Sequence, residues 1–110
     1  MDIKTEKIND VLLVVLDGEI NMDNSNILRE AFKKLIKEMD KKILVDFEKI
    51  SFIDSSGVAT FIEMFQNLGK IQGRMCLCNV NKKIMGVFEV TRVQKLLNIF
   101  PTRDEALKSF

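Results

Sequence analysis

The chain has 110 residues, 46% of them hydrophobic, and 17 Lys plus Arg against 16 Asp plus Glu for a formal net charge of +1. That is the size of one domain with a single core, without the basic excess that would recruit nucleic acid or an anionic membrane. It contains no His, Trp or Tyr, and the missing imidazole excludes His-based triads, His general bases and His-containing zinc sites, so neither enzyme activity nor a cofactor is expected.

The opening MDIKTEKIND has no basic cluster leading into an apolar run. No stretch approaches the roughly 18 apolar residues of a membrane span, so a cytoplasmic location is expected. Alternation and β-branched content predict a short strand near Ile3–Ile8, a turn at Asn9-Asp10 and a firmer strand over Val11–Asp17, together an antiparallel hairpin. After Gly18 a polar run from Asn21 to Asn26 offers several N-caps, and Ile27, Leu28, Ala31, Phe32, Leu35, Ile36 and Met39 follow at helical spacing. Lys42–Phe47 (KILVDF) is expected as a buried strand that completes a βαβ unit, with EKISFIDSSG as the connection to a second helix.

That helix carries Val58, Phe61, Ile62, Phe65 and Leu68 as its proposed buried stripe and stops near Gly69 and Gly73. Arg74–Cys78 is the next strand, and its two cysteines, Cys76 and Cys78, share one face at a spacing unsuited to a mutual bridge, so they are expected as reduced, packed thiols. Asn79 or Asn81 can cap a third helical stretch with Ile84, Val87 and Phe88. Leu96–Phe100 suggests a short last strand, and Thr102 with Glu105 forms a capping-box pattern for a final helix.

The informative motif is Asp54-Ser55-Ser56-Gly57, placed between a strand carboxyl end and a helix amino end. In open α/β sheets this edge is the usual functional one, and the first helical turn offers unpaired N–H groups that favour negative charge. A phosphate carried there would change the surface and leave the fold intact. Spacing alone allows a plain N-cap as well. Serine catalysis is excluded by the missing base, and no Gly-rich phosphate loop is present to hold a nucleotide. A receiver-like phosphotransfer domain with Asp54 as acceptor needs an earlier acidic pair and five alternating βα units, whereas this chain opens with a hairpin.

The run ILVDFEKISFIDSSGVATFIEMFQNLGKIQGRMCLCNV, the earlier GEINMDNSN and the later VFEVTRVQKLLNIFPTRDEAL resemble stand-alone STAS domains, the bacterial anti-sigma-factor antagonists, over nearly the whole chain. The resemblance implies an α/β fold over residues 1–110: a mixed sheet of four to five strands, an N-terminal antiparallel hairpin then parallel strands, with helices packed on it. It implies an unmodified form that binds an anti-sigma factor with serine kinase activity and frees the sigma factor, a phosphorylated form that does not, and a metal-dependent serine phosphatase that resets the switch. A STAS-type regulatory subunit of a larger signalling complex is the alternative.

By the same resemblance the phosphoacceptor is Ser55, with Ser56 as a neighbour able to cap the helix or act as a minor site, and Gly57 matches the glycine that allows close approach of the helix start. Partner contacts are expected from the Gly18–Asn24 loop with Asn21 and Asp23, from Asp54, Ser56 and Gly57, and from an outer side of the second helix carrying Ala59, Thr60, Glu63 and Met64. Asn21 stands where many relatives have an aspartate; either Asp23 substitutes for that charge or the position serves only to cap the first helix.

Overall fold

In the computed structural model, which describes residues 1–110, strand β1 (Asp2–Ile8) turns at Asn9-Asp10 into β2 (Val11–Ile20). The two pair antiparallel with Ile8 opposite Val11. Asn9 takes φ 56°, a left-handed conformation that asparagine tolerates better than most residues and that suits a two-residue turn. Next come α1 (Ser25–Lys37), β3 (Lys42–Ile53), α2 (Ser55–Lys70), β4 (Arg74–Cys78), α3 (Lys82–Val90), β5 (Asn98–Phe100) and α4 (Arg103–Lys108). The sheet order is β1-β2-β3-β4-β5, and every pairing after the hairpin is parallel. This is the expected mixed sheet, with five strands.

One boundary differs in a way that matters. The segment expected as a connection, EKISFI, continues β3 as far as Ile53. Two register shifts against β2, between Val15 and Asp17 and between Gly18 and Glu19, keep the long strands paired until Ile20 lies opposite Ile53. Bulges of this kind bend a strand and re-aim the chain beyond it. Because β2 and β3 are parallel, both chains leave the sheet at the same edge, and the Asp54 N–H donates to the Ile20 carbonyl at 3.1 Å. The loop after β2 and the start of α2 are thereby held side by side.

The apolar residues divide between the two faces of the sheet. The larger cluster joins Leu12, Val14, Leu16, Ile43, Val45 and Phe47 to Leu28 and Phe32 of α1, Val58, Phe61, Met64 and Leu68 of α2, and Ile84 and Phe88 of α3. Phe61 is its hub, with ring centroids 5.5 Å from Phe32 and 5.2 Å from Phe47, separations at which edge-on aromatic pairs add to simple area burial. The smaller cluster, on the opposite face, packs Val11, Leu13, Leu44, Cys76 and Cys78 against Ala106 of α4.

The stripe expected on α2 is rotated. Its buried residues are Gly57, Val58, Thr60, Phe61, Met64 and Leu68, while Ile62 and Phe65 are only half-buried. The reason is that α2 packs on the sheet and on α1 together, so its buried arc is wider than one stripe and turned toward α1. The Thr60 hydroxyl donates to the Ser56 carbonyl at 2.9 Å, so a polar side chain is buried there with its hydrogen bond satisfied.

Candidate functional site

The edge where β2 and β3 end carries the Asp54-Ser55-Ser56-Gly57 turn. Asp54 is the N-cap of α2, with extended backbone at φ −108° and ψ −175°. Its Oδ1 accepts from the Ser56 N–H at 3.0 Å, the Gly57 N–H at 3.1 Å and the Ser56 hydroxyl at 2.5 Å. Its Oδ2 accepts from the N–H of Met22, in the loop after β2, at 3.0 Å. The hydrogen bond from the Ser56 side chain, together with those from the Gly57, Met22 and Ser56 amides, outweighs partial desolvation and holds the Asp54 carboxyl below its ordinary 3.8.

Two sequence expectations change here. Two amides of the first turn, those of Ser56 and Gly57, expected to be free for an anion, are already taken by Asp54. Ser56 is committed as well, since its hydroxyl donates to the same carboxylate. Ser55 differs from it: the residue is exposed and no hydrogen bond within the protein holds its hydroxyl.

Gly57 is buried, and a Cβ added there would lie 2.7 Å from both Ile20 Cγ2 and Ile53 Cγ1. Glycine is therefore what lets the helix start seat on the two strand ends.

The loop beside Ser55 is built from asparagines. Asn21 Oδ1 accepts from the Asp23 N–H at 3.0 Å, Asn24 Oδ1 accepts from the Asn21 N–H at 2.9 Å, and Asn24 Nδ2 donates to the Glu19 carbonyl at 2.7 Å. Asn21 thus closes an Asx-type turn. Neither asparagine caps α1 with its side chain, although Asn24 occupies the N-cap position. Asp23 is exposed, and Met22 exposes 75% of its surface beside it. Met22 and Asn24 were not singled out from the sequence; the signal available was one apolar residue isolated in a run of amides and carboxylates.

The other expected contact residues fare differently. Thr60 and Met64 are each 1% exposed and lie in the α1–α2 packing, so they do not form an outer surface. Glu63 is half-exposed but engaged, accepting from Arg29 Nε of α1 at 2.7 Å. Ala59 is exposed. The structure therefore groups Asn21, Asp23, Asp54, Ser55, Ser56 and Gly57 at one edge, and buries Thr60 and Met64 away from that surface.

A second polar centre, unsuspected from the sequence, lies on the other face of the sheet. Asp46 of β3, 1% exposed, accepts from Arg103 Nη2 of α4 at 2.7 Å, from Asn79 Nδ2 at 3.1 Å and from the Glu48 N–H at 2.9 Å. Burial pushes its carboxyl up, but the bonds from Arg103, Glu48 and Asn79 prevail and hold it below 3.8. Burial, and then the Asp46 charge, push the adjacent Cys78 thiol up to about 12, which makes it inert as a nucleophile at neutral pH. No group of three or more His, Cys, Asp or Glu side chains is placed to hold a metal ion, and no helix is long and apolar enough to cross a membrane.

Comparison with known proteins gives these features a family context. The STAS domain family matches residues 2–106. The anti-sigma F factor antagonist of Paenibacillus polymyxa is 24% identical over 108 residues, covering 97% of this chain and 92% of its own. The crystal structure of an anti-sigma factor antagonist from Mycobacterium paratuberculosis superposes with a TM-score of 0.89 at 22% identity, covering 98% of this chain and 92% of that one. The antagonist SpoIIAA superposes in its unphosphorylated form with a TM-score of 0.76 at 22% identity and in its phosphorylated form with 0.74 at 24%. Those two structures cover 98% of this chain and 96% and 98% of their own.

Proposed function

This chain belongs to the STAS domain family, and on that premise we propose that it is an anti-sigma factor antagonist switched by phosphate on Ser55. In this reading the unmodified protein docks on an anti-sigma factor that is also a serine kinase, and so releases the sigma factor. The kinase transfers the terminal phosphoryl group of ATP to the Ser55 oxygen, the hydroxyl proton goes to the kinase's base and ADP leaves. A metal-dependent phosphatase returns the serine by hydrolysis. The protein itself supplies a substrate hydroxyl and a docking face, and performs no catalysis.

The observation that carries the reading is the contrast between two neighbouring serines: Ser55 is exposed and unbonded, whereas the Ser56 hydroxyl is held by Asp54. A kinase needs a hydroxyl that can enter its active site, and only the first of the pair is free to do so. A phosphoserine carries a charge of about −1.5 to −2 at pH 7. Placed beside the ionised Asp54, which already occupies the Ser56, Gly57 and Met22 amides and the Ser56 hydroxyl, it finds little local compensation. In a desolvated interface such an uncompensated anion costs several kcal/mol, and about 3 kcal/mol is already a loss of roughly two orders of magnitude in affinity.

The test is phosphorylation by the cognate anti-sigma kinase with ATP, read by mass spectrometry, alongside affinity measurements on the same pair. Wild type is expected to take one acid-stable phosphate, Ser55→Ala none, and Ser55→Asp to bind the kinase at least about 100-fold more weakly. Stoichiometric phosphorylation of Ser55→Ala, or undiminished binding by Ser55→Asp, overturns the proposal.

A further inference from the structure

The two oxygens of Asp54 serve different segments. Oδ1 caps α2 through Ser56 and Gly57. Oδ2 reaches back 32 residues to the Met22 N–H at 3.0 Å. Behind Met22 the loop is closed on itself by Asn21 and Asn24, and the Ser25 N–H donates to the Asn21 carbonyl at 2.8 Å. Asp54 Oδ2 is the side-chain tie from this preformed loop to the helix that bears Ser55.

Helix capping alone does not call for a carboxylate, because serine or asparagine caps as well as aspartate. An acceptor in both directions is another matter. A carboxylate has two acceptor oxygens, whereas an asparagine amide presents one acceptor and one donor, and a serine has a single oxygen.

We propose that Asp54 is a positioning residue that fixes the Asn21–Asn24 loop against the start of α2, so that the Met22 side chain and the Ser55 hydroxyl face an anti-sigma kinase as one rigid surface. This rests on the function proposed above. Met22, 75% exposed on a backbone held by its own N–H, is then an apolar contact whose backbone ordering cost is met before docking. Asp54 acts through Met22 and Ser55, its oxygens engaged by the N–H and O–H donors of the loop and the helix start.

Asp54→Asn separates the two duties. Its amide oxygen can cap α2, but its NH₂ group then meets the Met22 N–H, donor against donor. In the isolated protein, amide exchange followed by NMR is expected to quicken about tenfold at Met22 in Asp54→Asn, with Ser56 and Gly57 and the urea midpoint little changed. With the anti-sigma kinase as enzyme, KM for phosphorylation of Asp54→Asn and of Met22→Ala is expected to rise about tenfold with kcat within twofold of wild type, because the Ser55 hydroxyl itself is untouched. Unchanged exchange at Met22, or lost protection with an unchanged KM, overturns the inference. Failure of any anti-sigma kinase to phosphorylate the wild-type protein instead strikes the proposed function, and the exchange measurement still decides whether the tie exists.

Discussion

At the scale of single residues, three glycines in helices give opposite expectations for one substitution. Gly57→Ala places a methyl 2.7 Å from Ile20 Cγ2 and Ile53 Cγ1, atoms near the backbone of two paired strands that have little room to yield. Overpacking of this kind costs about 1–3 kcal/mol, and the expected result is an unfolding free energy lowered by that amount and a correspondingly lower urea midpoint, with a disturbed loop at Asn21–Asn24. Gly69 and Gly86 lie in α2 and α3, where an added methyl would have nothing within 4 Å. Gly69→Ala and Gly86→Ala are expected to stabilise by about 0.5–1 kcal/mol each through helix propensity and a less flexible unfolded chain. Equal effects at all three positions would contradict the close approach at Gly57. The close approach at Gly57 was legible through the family resemblance, which also singles out Ser55 as the acceptor proposed here. What Asp54 bonds was not, because the tie to Met22 joins residues that only the β2–β3 pairing brings together.

At the scale of elements, sequence patterns located the pieces better than their faces. Period-2 alternation and cap residues placed the hairpin, β4 and the Thr102 cap, and of the two candidate caps of α3 it is Asn81, not Asn79, whose side chain accepts from the Ile84 N–H, as Thr102 accepts from the Glu105 N–H. Of the capping box at α4 only the Thr102 half forms. The orientation of α2 was misjudged, since nothing local reveals that α1 covers its Thr60–Met64 side. Asp46 was passed over as one acidic residue in an apolar strand, and its partner Arg103 is 57 positions away.

That pair fastens α4 to the sheet. Arg103→Ala leaves a buried carboxylate with only Asn79 and Glu48 as donors and is expected to cost about 1–3 kcal/mol, less than for a wholly buried pair because the guanidinium is 41% exposed. The pH dependence has a definite sign. The folded-state pKa of Asp46 lies below the 3.8 that the unfolded chain approximates, so the unfolded state takes up its proton first. The stabilisation is complete above that value and is lost as pH falls from about 4 through the lower folded-state value. Urea midpoints at pH 7, 4 and 3 should therefore decline more steeply for wild type than for Asp46→Asn, and parallel declines would show that Asp46 has no part in the acid limb.

At the scale of the whole molecule, the sheet separates a large core from a small one, and the two need not open together. Leu28, Phe61 and Leu68 belong to the cluster of 21 buried residues under α1, α2 and α3, whereas Cys76 and Cys78 belong to the cluster of six beneath α4. Helix α4 has six residues, of which only Ala106 is fully buried, and its Arg103 carries the ion pair to Asp46. So short an element, held on one side of a finished sheet, has few apolar contacts to lose when it lifts. Both thiols of the chain lie under it, and Cys76 Sγ is 3.4 Å from Ser109 Oγ just beyond its end. Alkylation of the native protein therefore reports on α4 without any added probe. Labelling is expected to be slow in wild type, since both thiols are buried and Cys78 is pushed up to about 12. Arg103→Ala should quicken labelling by about tenfold or more, whereas Leu68→Ala, at a comparable or greater loss of global stability, should leave it nearly unchanged, because it weakens the other core. If labelling instead tracks global stability in both variants, α4 and the sheet open as a single unit and the smaller core has no independence. The Ser55 edge belongs to the larger core through Ile20, Ile53 and Val58, so opening of α4 is expected to leave the loop and the start of α2 in place. Amide exchange at Met22 measured in Arg103→Ala tests that separation: an unchanged rate beside quickened thiol labelling is the expected pair of results.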